Sequence, residues 1–285
     1  MAGSSATGDP VPATRPPRRR SGLLVGGATA LAVVLGLLLG LPVIVLLVRA
    51  IAGGNLPELA GQAALLDALS LSLATTLVSV VIVVVLGTPL AYLLAHRRFP
   101  AAALVETVID LPIVLPPSVA GLALLLLFGR RGPLGAVLEP LGLAIPFTTV
   151  AVVLAQVFVA APFFVRSARG GFQGVQGDLE DAARVDGADE AAVIRHVSIP
   201  LALPAIAAGL VMCWARALGE FGATIMFAGN VEGRTQTLPL FVYSEFQASL
   251  DASVAAAAVL VFAALGVLLA VRVIGWTGAE DRRRT

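Results

Sequence analysis

Six long apolar stretches constrain the fold of this chain more than any other feature of its sequence. Each is close to the roughly 20 apolar residues that a helix needs to cross the hydrocarbon core of a bilayer. Backbone groups must bond internally in lipid, and the stretches lack the alternating pattern of barrel strands. The sequence therefore predicts an all-α polytopic membrane protein with six transmembrane helices within residues 22–275. The predicted spans are residues 23–48, 69–95, 111–128, 148–165, 200–228 and 252–271.

The composition argues against an ordinary soluble domain. Charged residues make up 13% of the chain and hydrophobic residues 58%, whereas soluble domains average about 25% charged residues. The net charge of +1 gives no indication of a nucleic-acid partner, so the lipid bilayer is the expected surrounding. Residues 1–21, rich in Pro, Arg and Ser, are predicted to be a disordered cytoplasmic tail, and residues 276–285 a second cytoplasmic tail.

Arginine placement predicts that both termini are cytoplasmic, because cytoplasmic loops of membrane proteins carry an excess of basic residues. With the N-terminus inside, the cytoplasmic arginines are Arg15, Arg18, Arg19, Arg20, Arg97, Arg98, Arg166, Arg169, Arg184, Arg195, Arg272, Arg282, Arg283 and Arg284. Those outside are Arg49, Arg130, Arg131 and Arg234. The first stretch could instead be a cleaved signal peptide, but it is about twice the usual length of a signal-peptide core. The predicted location is the cell membrane, crossed several times.

The chain contains no lysine, which excludes a standard ATP-binding P-loop within it. Such a loop needs a Lys that reaches the β and γ phosphates, so any ATP-driven work must be done by a separate subunit. Cys213, the single cysteine, lies in an apolar stretch and is expected to be a small buried hydrophobe. His96 and His196 each adjoin an Arg and are expected to be solvated or to face lipid headgroups. No catalytic residue, metal site or cofactor is predicted in this chain.

A charged loop at about residues 170–200 separates the fourth and fifth stretches. It is predicted to hold two short helices, the first capped by Asp178 and ended by Gly187. The second, at about 188–198, is predicted to end at Pro200. An apolar stripe on this second helix consists of Val193, Ile194 and Val197. The pattern alone fits either a connector or a helix that docks into the groove of a partner.

The spacing of residues 181–200 resembles the EAA loop of ABC importer permeases. The motif reads Asp181-Ala182-Ala183, three residues, Gly187, nine residues, and Val197-Ser198-Ile199-Pro200. The family pattern is Glu-Ala-Ala, three residues, Gly, nine residues, and Ile-x-Leu-Pro, so the chain departs at Asp181, Val197 and Ile199. In that family the loop forms a coupling helix that seats in a cleft of the ATPase. The resemblance implies an ATPase-coupling role for Asp181, Ala182, Ala183, Gly187, Ala188, Ile194, Val197 and Pro200.

Polar residues inside the predicted spans form a second group of candidates. Arg216 and Glu220 are four residues apart in the fifth span, where an unpaired charge costs roughly 2.5–3.5 kcal/mol. They are either an ion pair that packs helices together or part of a transport pathway. Hydroxyl residues in the outer part of the second span either line such a pathway or pack against other helices. These residues are Ser70, Ser72, Thr75, Thr76 and Ser79.

Residues 213–243 are similar to the corresponding part of molybdate permeases within the type I ABC importers. The similarity lies in ARALGEFGAT, Gly229-Asn230, Gly233 and the run Thr235-Gln236-Thr237-Leu238-Pro239-Leu240. It implies a type I permease fold and a homodimer that docks two ATPase subunits, which hold ATP and Mg²⁺. It also implies an extracytoplasmic binding protein that delivers a tetrahedral oxyanion.

Two alternatives remain open on the sequence alone. Sulfate and thiosulfate permeases share the ALGEFG core, so sulfate or tungstate are alternative substrates. An ion-coupled secondary transporter is the alternative from another class, in which Arg216 and Glu220 form an ion or proton site.

Overall fold

The computed structural model describes the backbone of residues 20–54, 56–96 and 100–281, and the side chains of 25–54, 56–96 and 100–269. The described backbone is helical, without a β-strand in these ranges. Contacts divide the chain after Val48 into two units. Helix α1, Arg20–Ala52, supplies the described part of the first unit. Residues 1–19 of the predicted tail at 1–21 lie outside the described part of the chain. Its last two residues begin α1.

The second unit contains the remaining helices in chain order. They are α2 (Leu56–Ala60), α3 (Ala63–His96), α4 (Ala102–Val114), α5 (Pro117–Phe128), α6 (Gly135–Leu138), α7 (Thr149–Gln173), α8 (Gly177–Val185), α9 (Glu190–Val193), α10 (Ile199–Leu218), α11 (Gly222–Phe227), α12 (Leu238–Ala248) and α13 (Leu250–Asp281). Helix α13 includes most of the predicted tail of residues 276–285, whose last four residues lie outside the described part.

Five described segments are long and apolar enough to cross a membrane. They are Val25–Ala52, Ala63–His96, Thr149–Gln173, Glu190–Leu218 and Leu250–Leu269, and a bent pair of helices makes a sixth if it counts as one span. The predicted third span at 111–128 falls on this bent pair, in which α4 and α5 meet at 119°, so the chain breaks direction within it. Pro116 and Pro117 cause this break: proline lacks an N–H and pushes the preceding residue out of the helical region.

The predicted fifth span is also interrupted, at a different place. Helix α10 ends at Leu218, and α11 starts at Gly222 after a short non-helical segment. At its other end the helix begins earlier than expected, because α9 runs through a π-helical turn, Ile194–Ser198, into α10. The prediction that Pro200 ends the preceding helix is therefore wrong. The N–H of Ile199 bonds to the carbonyl of Ile194, five residues earlier, as in a π-helix. Pro200 follows in the first turn of α10, where α-helical hydrogen bonding begins again.

Helix α7 is the centre of packing in the second unit. One side of it packs with α3 and α10 around a core that includes Val83, Phe164 and Cys213. Further towards its N-terminus, α7 packs with α5 and α11 around Leu124 and Phe227. Small residues let the backbones approach; a Cβ on Gly87 of α3 would lie 2.9 Å from the Phe164 ring. Cys213 is fully buried, as the sequence predicted.

Candidate functional site

Helix α8 carries the residues that resemble the EAA motif, and its C-terminus is closed by Gly187. The N–H of Gly187 bonds to the carbonyl of Arg184, and that of Ala188 to the carbonyl of Ala183. This pattern requires a left-handed residue, which glycine adopts without a Cβ penalty, and Gly187 has φ of +93°. The structure therefore contains the helix break that the sequence predicted at Gly187.

The predicted cap at the start of α8 is wrong. The helix begins at Gly177, with Gln176 in the cap position and no side-chain cap. Asp178 therefore lies in the first turn, where its negative charge still suits the positive end of the helix dipole. The cap occurs instead at α9, where the carboxylate of Asp189 accepts a hydrogen bond of 2.7 Å from the N–H of Ala192.

One face of α8 is open, and it is partly apolar. Asp181, Ala182 and Val185 are all exposed and lie within one turn of each other. Val185 is 87% exposed and Leu179 45% exposed.

The stripe predicted on the second helix does not form such a surface. Val193 is fully buried, and Ile194 packs against the core of α3, α7 and α10. Val197 and Pro200 are half-buried in the same region. Of the two alternatives that the sequence left open for this helix, docking through the stripe conflicts with the burial of Val193, because the helix continues into α10 and turns Val193 inward.

Glu180 is a buried carboxylate that the sequence pattern did not reveal. Its Oε1 accepts a hydrogen bond of 2.6 Å from the hydroxyl of Ser198, which lies in the π-helical turn. Its Oε2 lies 3.2 Å from Nε2 of His96, the last residue of α3, and 3.6 Å from Nη2 of Arg184. The sequence predicted a solvated or headgroup-facing His96, but its side chain is only 20% exposed and contacts this carboxylate.

A second cluster beside Glu180 joins the same elements. Arg184 donates 2.7 Å to Asp181 and 3.3 Å to Glu190, while the hydroxyl of Tyr92 on α3 donates 2.8 Å to Glu190. The hydrogen bond to Glu190 raises the pKa of the Arg184 guanidinium above its ordinary value, and the bond to Asp181 adds to this effect. Asp181 is thus exposed and also bonds to Arg184 on its own helix.

Two ion pairs attach α4 to α7 near the same end of the molecule. Arg166 forms a bidentate pair with Asp110, at 2.7 and 2.8 Å, and Arg169 pairs with Glu106. The arginine pattern assigned both residues to the cytoplasmic side without identifying their partners. Helix α4 precedes the 119° bend, so these pairs hold the helix before the bend against α7.

Arg216 and Glu220 form the ion pair that their spacing suggested. The prediction that both lie on one helix is wrong, because α10 ends at Leu218. Glu220 is 1% exposed, and its Oε1 accepts a hydrogen bond of 2.7 Å from the N–H of Ala223. Glu220 thus caps α11 and neutralises Arg216, whose side chain is 27% exposed.

Of the predicted hydroxyl residues of α3, Ser70 is exposed, whereas Ser72, Thr75, Thr76 and Ser79 are buried. The Ser79 hydroxyl donates 2.9 Å to Oε1 of Gln156, and Nε2 of Gln156 donates 3.3 Å to Thr76. The Thr75 hydroxyl donates 2.8 Å to the carbonyl of Leu71 on its own helix. All three hydroxyl side chains are buried, so in this conformation they pack α3 against its neighbours and present no surface to a passing solute. Gln156, their partner on α7, was not singled out from the sequence.

Comparisons with known proteins agree with this architecture. The family described as "Binding-protein-dependent transport system inner membrane component" matches residues 87–277. The molybdenum transport system permease protein ModB of Mycobacterium tuberculosis is 45% identical over 215 residues, covering 75% of this chain and 81% of the relative. The chloroplastic sulfate permease 2 of Chlamydomonas reinhardtii is 37% identical, covering 86% of this chain and 67% of the relative.

A solved structure extends the agreement to the fold. The crystal structure of a bacterial ABC transporter involved in the import of the acidic polysaccharide alginate aligns with a TM-score of 0.68. It is 19% identical in sequence, and the alignment covers 94% of this chain and 97% of the other. The chain therefore belongs to the family of binding-protein-dependent transport system inner membrane components, the permease subunits of ABC importers.

Proposed function

We propose that this chain is the membrane permease subunit of an ATP-driven importer for molybdate. The observation that carries the proposal is the 45% identity to a molybdenum transport permease over 75% of the chain. A chain of this family forms a path across the membrane and performs no covalent chemistry, and the absence of lysine assigns ATP and Mg²⁺ to a partner ATPase.

Helix α8 is the element proposed to contact the ATPase. Its open face, Asp181, Ala182 and Val185, combines a carboxylate with apolar surface. The matching groove would offer an apolar floor and a basic or amide donor for Asp181. Gly187 and Ala188 set the orientation of α8 through the bonds that close its C-terminus. Ile194 packs against the core of α3, α7 and α10, and Val197 and Pro200 are half-buried, so these three residues would act on the membrane helices that follow α8.

The proposed orientation places α8 and both termini in the cytoplasm. Elements assigned to the inside by arginine placement contact one another, as His96 does with Glu180 and Arg169 with Glu106. Elements assigned to the outside also contact one another, since the hydroxyl of Thr149 donates 3.0 Å to the carbonyl of Arg234. These contacts support the proposed orientation, because elements assigned to the same side of the membrane contact one another. An external binding protein would dock at the second end.

The proposed cycle needs two copies of this chain and two ATPase subunits. ATP binding closes the ATPase pair and pushes the two α8 helices together, which turns the path from inward-open to outward-open. Hydrolysis resets the path. Arg216 and Glu220 are proposed to stabilise the break at the end of α10, close to the path; their mutual neutralisation avoids a strong trap for a dianion.

Reconstitution in liposomes tests this function. The permease, its ATPase and the binding protein are expected to import molybdate only when ATP is enclosed with the ATPase. Uptake by the permease alone under an ion gradient would contradict the proposal and favour a secondary transporter. The gradient experiment without ATP therefore belongs in the same series.

Sulfate is the second candidate substrate, and the 37% identity to a chloroplastic sulfate permease favours it. Competition of labelled molybdate uptake by tungstate and by sulfate separates the candidates. Inhibition by tungstate but not by equal sulfate supports the molybdate assignment. A stronger effect of sulfate would replace molybdate by sulfate as the substrate.

A further inference from the structure

Helix α8 is attached to the rest of the chain in an unusual way. A surface helix normally buries an apolar stripe, but the one buried side chain of α8 is a carboxylate, that of Glu180, which is 3% exposed. The larger apolar residues, Leu179 and Val185, are exposed instead. Polar contacts therefore set the orientation of α8.

The carboxylate of Glu180 connects three separate elements. One oxygen is bonded to Ser198, which is fully buried at the start of the fifth membrane helix, and the other contacts His96 at the end of α3. These partners lie 18 and 84 residues away in the sequence. The π-helical turn at Ile194–Ser198 provides the position of Ser198. Such turns occur often at functional sites.

Hydrogen bonds to a carboxylate transmit orientation better than apolar contacts do. They are short and directional, and bonds to a charged group are about twice as strong as neutral ones. Helix α8 cannot rotate or slide past Ser198 without breaking the 2.6 Å bond. Arg184 and Tyr92, which both bond to Glu190, brace the same junction. A force on the open face of α8 is therefore delivered to α10 and α3 together.

We propose that Glu180, through Ser198 and His96, is the positioning residue that transmits movement of α8 to the membrane helices α10 and α3. This inference rests on the proposed function, because it assumes that an ATPase moves α8. Glu180 contacts neither ATP nor the transported anion in this role. It determines how many anions are imported per ATP hydrolysed, rather than how fast ATP is hydrolysed.

The test uses the reconstituted complex with its ATPase and binding protein, and measures molybdate imported per ATP hydrolysed. Glu180→Ala is expected to lower this ratio about tenfold, the size of losing a hydrogen bond to a charged group, while ATP hydrolysis continues. Glu180→Gln, which keeps the acceptor for Ser198, restores part of the ratio. Ser198→Ala lowers it less, by about threefold, since His96 still holds the carboxylate. Thr107→Ala, at an exposed side chain of α4 that bonds to the carbonyl of Ala103 on its own helix, leaves the ratio unchanged.

The double variant Glu180→Ala/Ser198→Ala is expected to match Glu180→Ala, because both changes break one contact. An unchanged ratio in Glu180→Ala and Ser198→Ala would overturn the inference, even if less complex assembles. If Glu180→Ala does not assemble, the ratio in Ser198→Ala decides. Failure of the wild-type complex to import with ATP would instead overturn the proposed function.

Discussion

Glu180 and Glu220 are the two buried glutamates in the described part of the chain, and they stand at opposite ends of α10. Each has an arginine four residues away, Arg184 or Arg216. Their other partners differ. Glu220 bonds to the N–H of Ala223, three residues further on, whereas Glu180 bonds to Ser198 and His96 on other helices.

The difference separates a local function from a long-range one. Glu220 neutralises a cation and caps a helix within its own segment, so its loss damages the local backbone inside a membrane span. Glu180 holds one helix against two others, so its loss frees α8 while the spans stay packed. A buried glutamate near an arginine therefore stands at each end of α10. Glu220 stabilises the interruption after α10, whereas Glu180 connects α8 to α10 and α3.

Removal of the two carboxylates should have unequal effects on stability. Glu220→Ala leaves Arg216 unpaired and α11 uncapped, and is expected to cost about 3–5 kcal/mol. Glu180→Ala is expected to cost about 1–3 kcal/mol, because Arg184 keeps Asp181 and Glu190 as partners. Thermal unfolding of the detergent-solubilised protein measures both.

One outcome would break this comparison. Equal losses from the two alanine variants would show that Glu180 is also a local stabiliser. For the pair itself, the double variant Arg216→Met/Glu220→Gln should be more stable than Glu220→Ala, because no buried charge remains unpaired.

Gly187→Ala tests the turn that ends α8, the helix that carries Glu180. A Cβ at Gly187 meets no atom within 4 Å, so its effect comes only from the positive φ of +93°, which costs an alanine about 1–2 kcal/mol. We expect impaired ATP-driven uptake and a small loss of stability. The matched control is Gly177→Ala, which also has open space and no positive φ, and should leave the stability unchanged or slightly raised. Equal behaviour of the two variants would contradict the role of Gly187.

Val185→Asn tests the face of α8 opposite Glu180 and should have the smallest effect on stability. Since Val185 is 87% exposed, the expected change is within about 0.5 kcal/mol. Binding of the ATPase should nevertheless weaken, because apolar surface at the contact is lost. Copurification of the ATPase with the permease measures this binding. Normal copurification and uptake would exclude Val185 from the contact.

Much of the fold follows from the sequence alone. Apolar length predicted the membrane segments, because lipid requires every backbone group to bond within a helix. The positive φ of Gly187 and the burial of Cys213 also follow from residue type and local context. The motif at 181–200 and the segment at 213–243 indicated the permease family through residue identity and spacing, which do not depend on how the helices pack.

Tertiary structure decided the direction of each helix and the partner of each polar side chain. Hydropathy is an average over a window, so it detects neither the 119° bend at Pro116 nor the interruption after Leu218. Ser79 could have faced a path or a neighbouring helix until Gln156, 77 residues later, was placed beside it. Glu180 looked like one more charge in a polar loop, because Ser198 and His96 become its neighbours only when α3, α8 and α10 pack together.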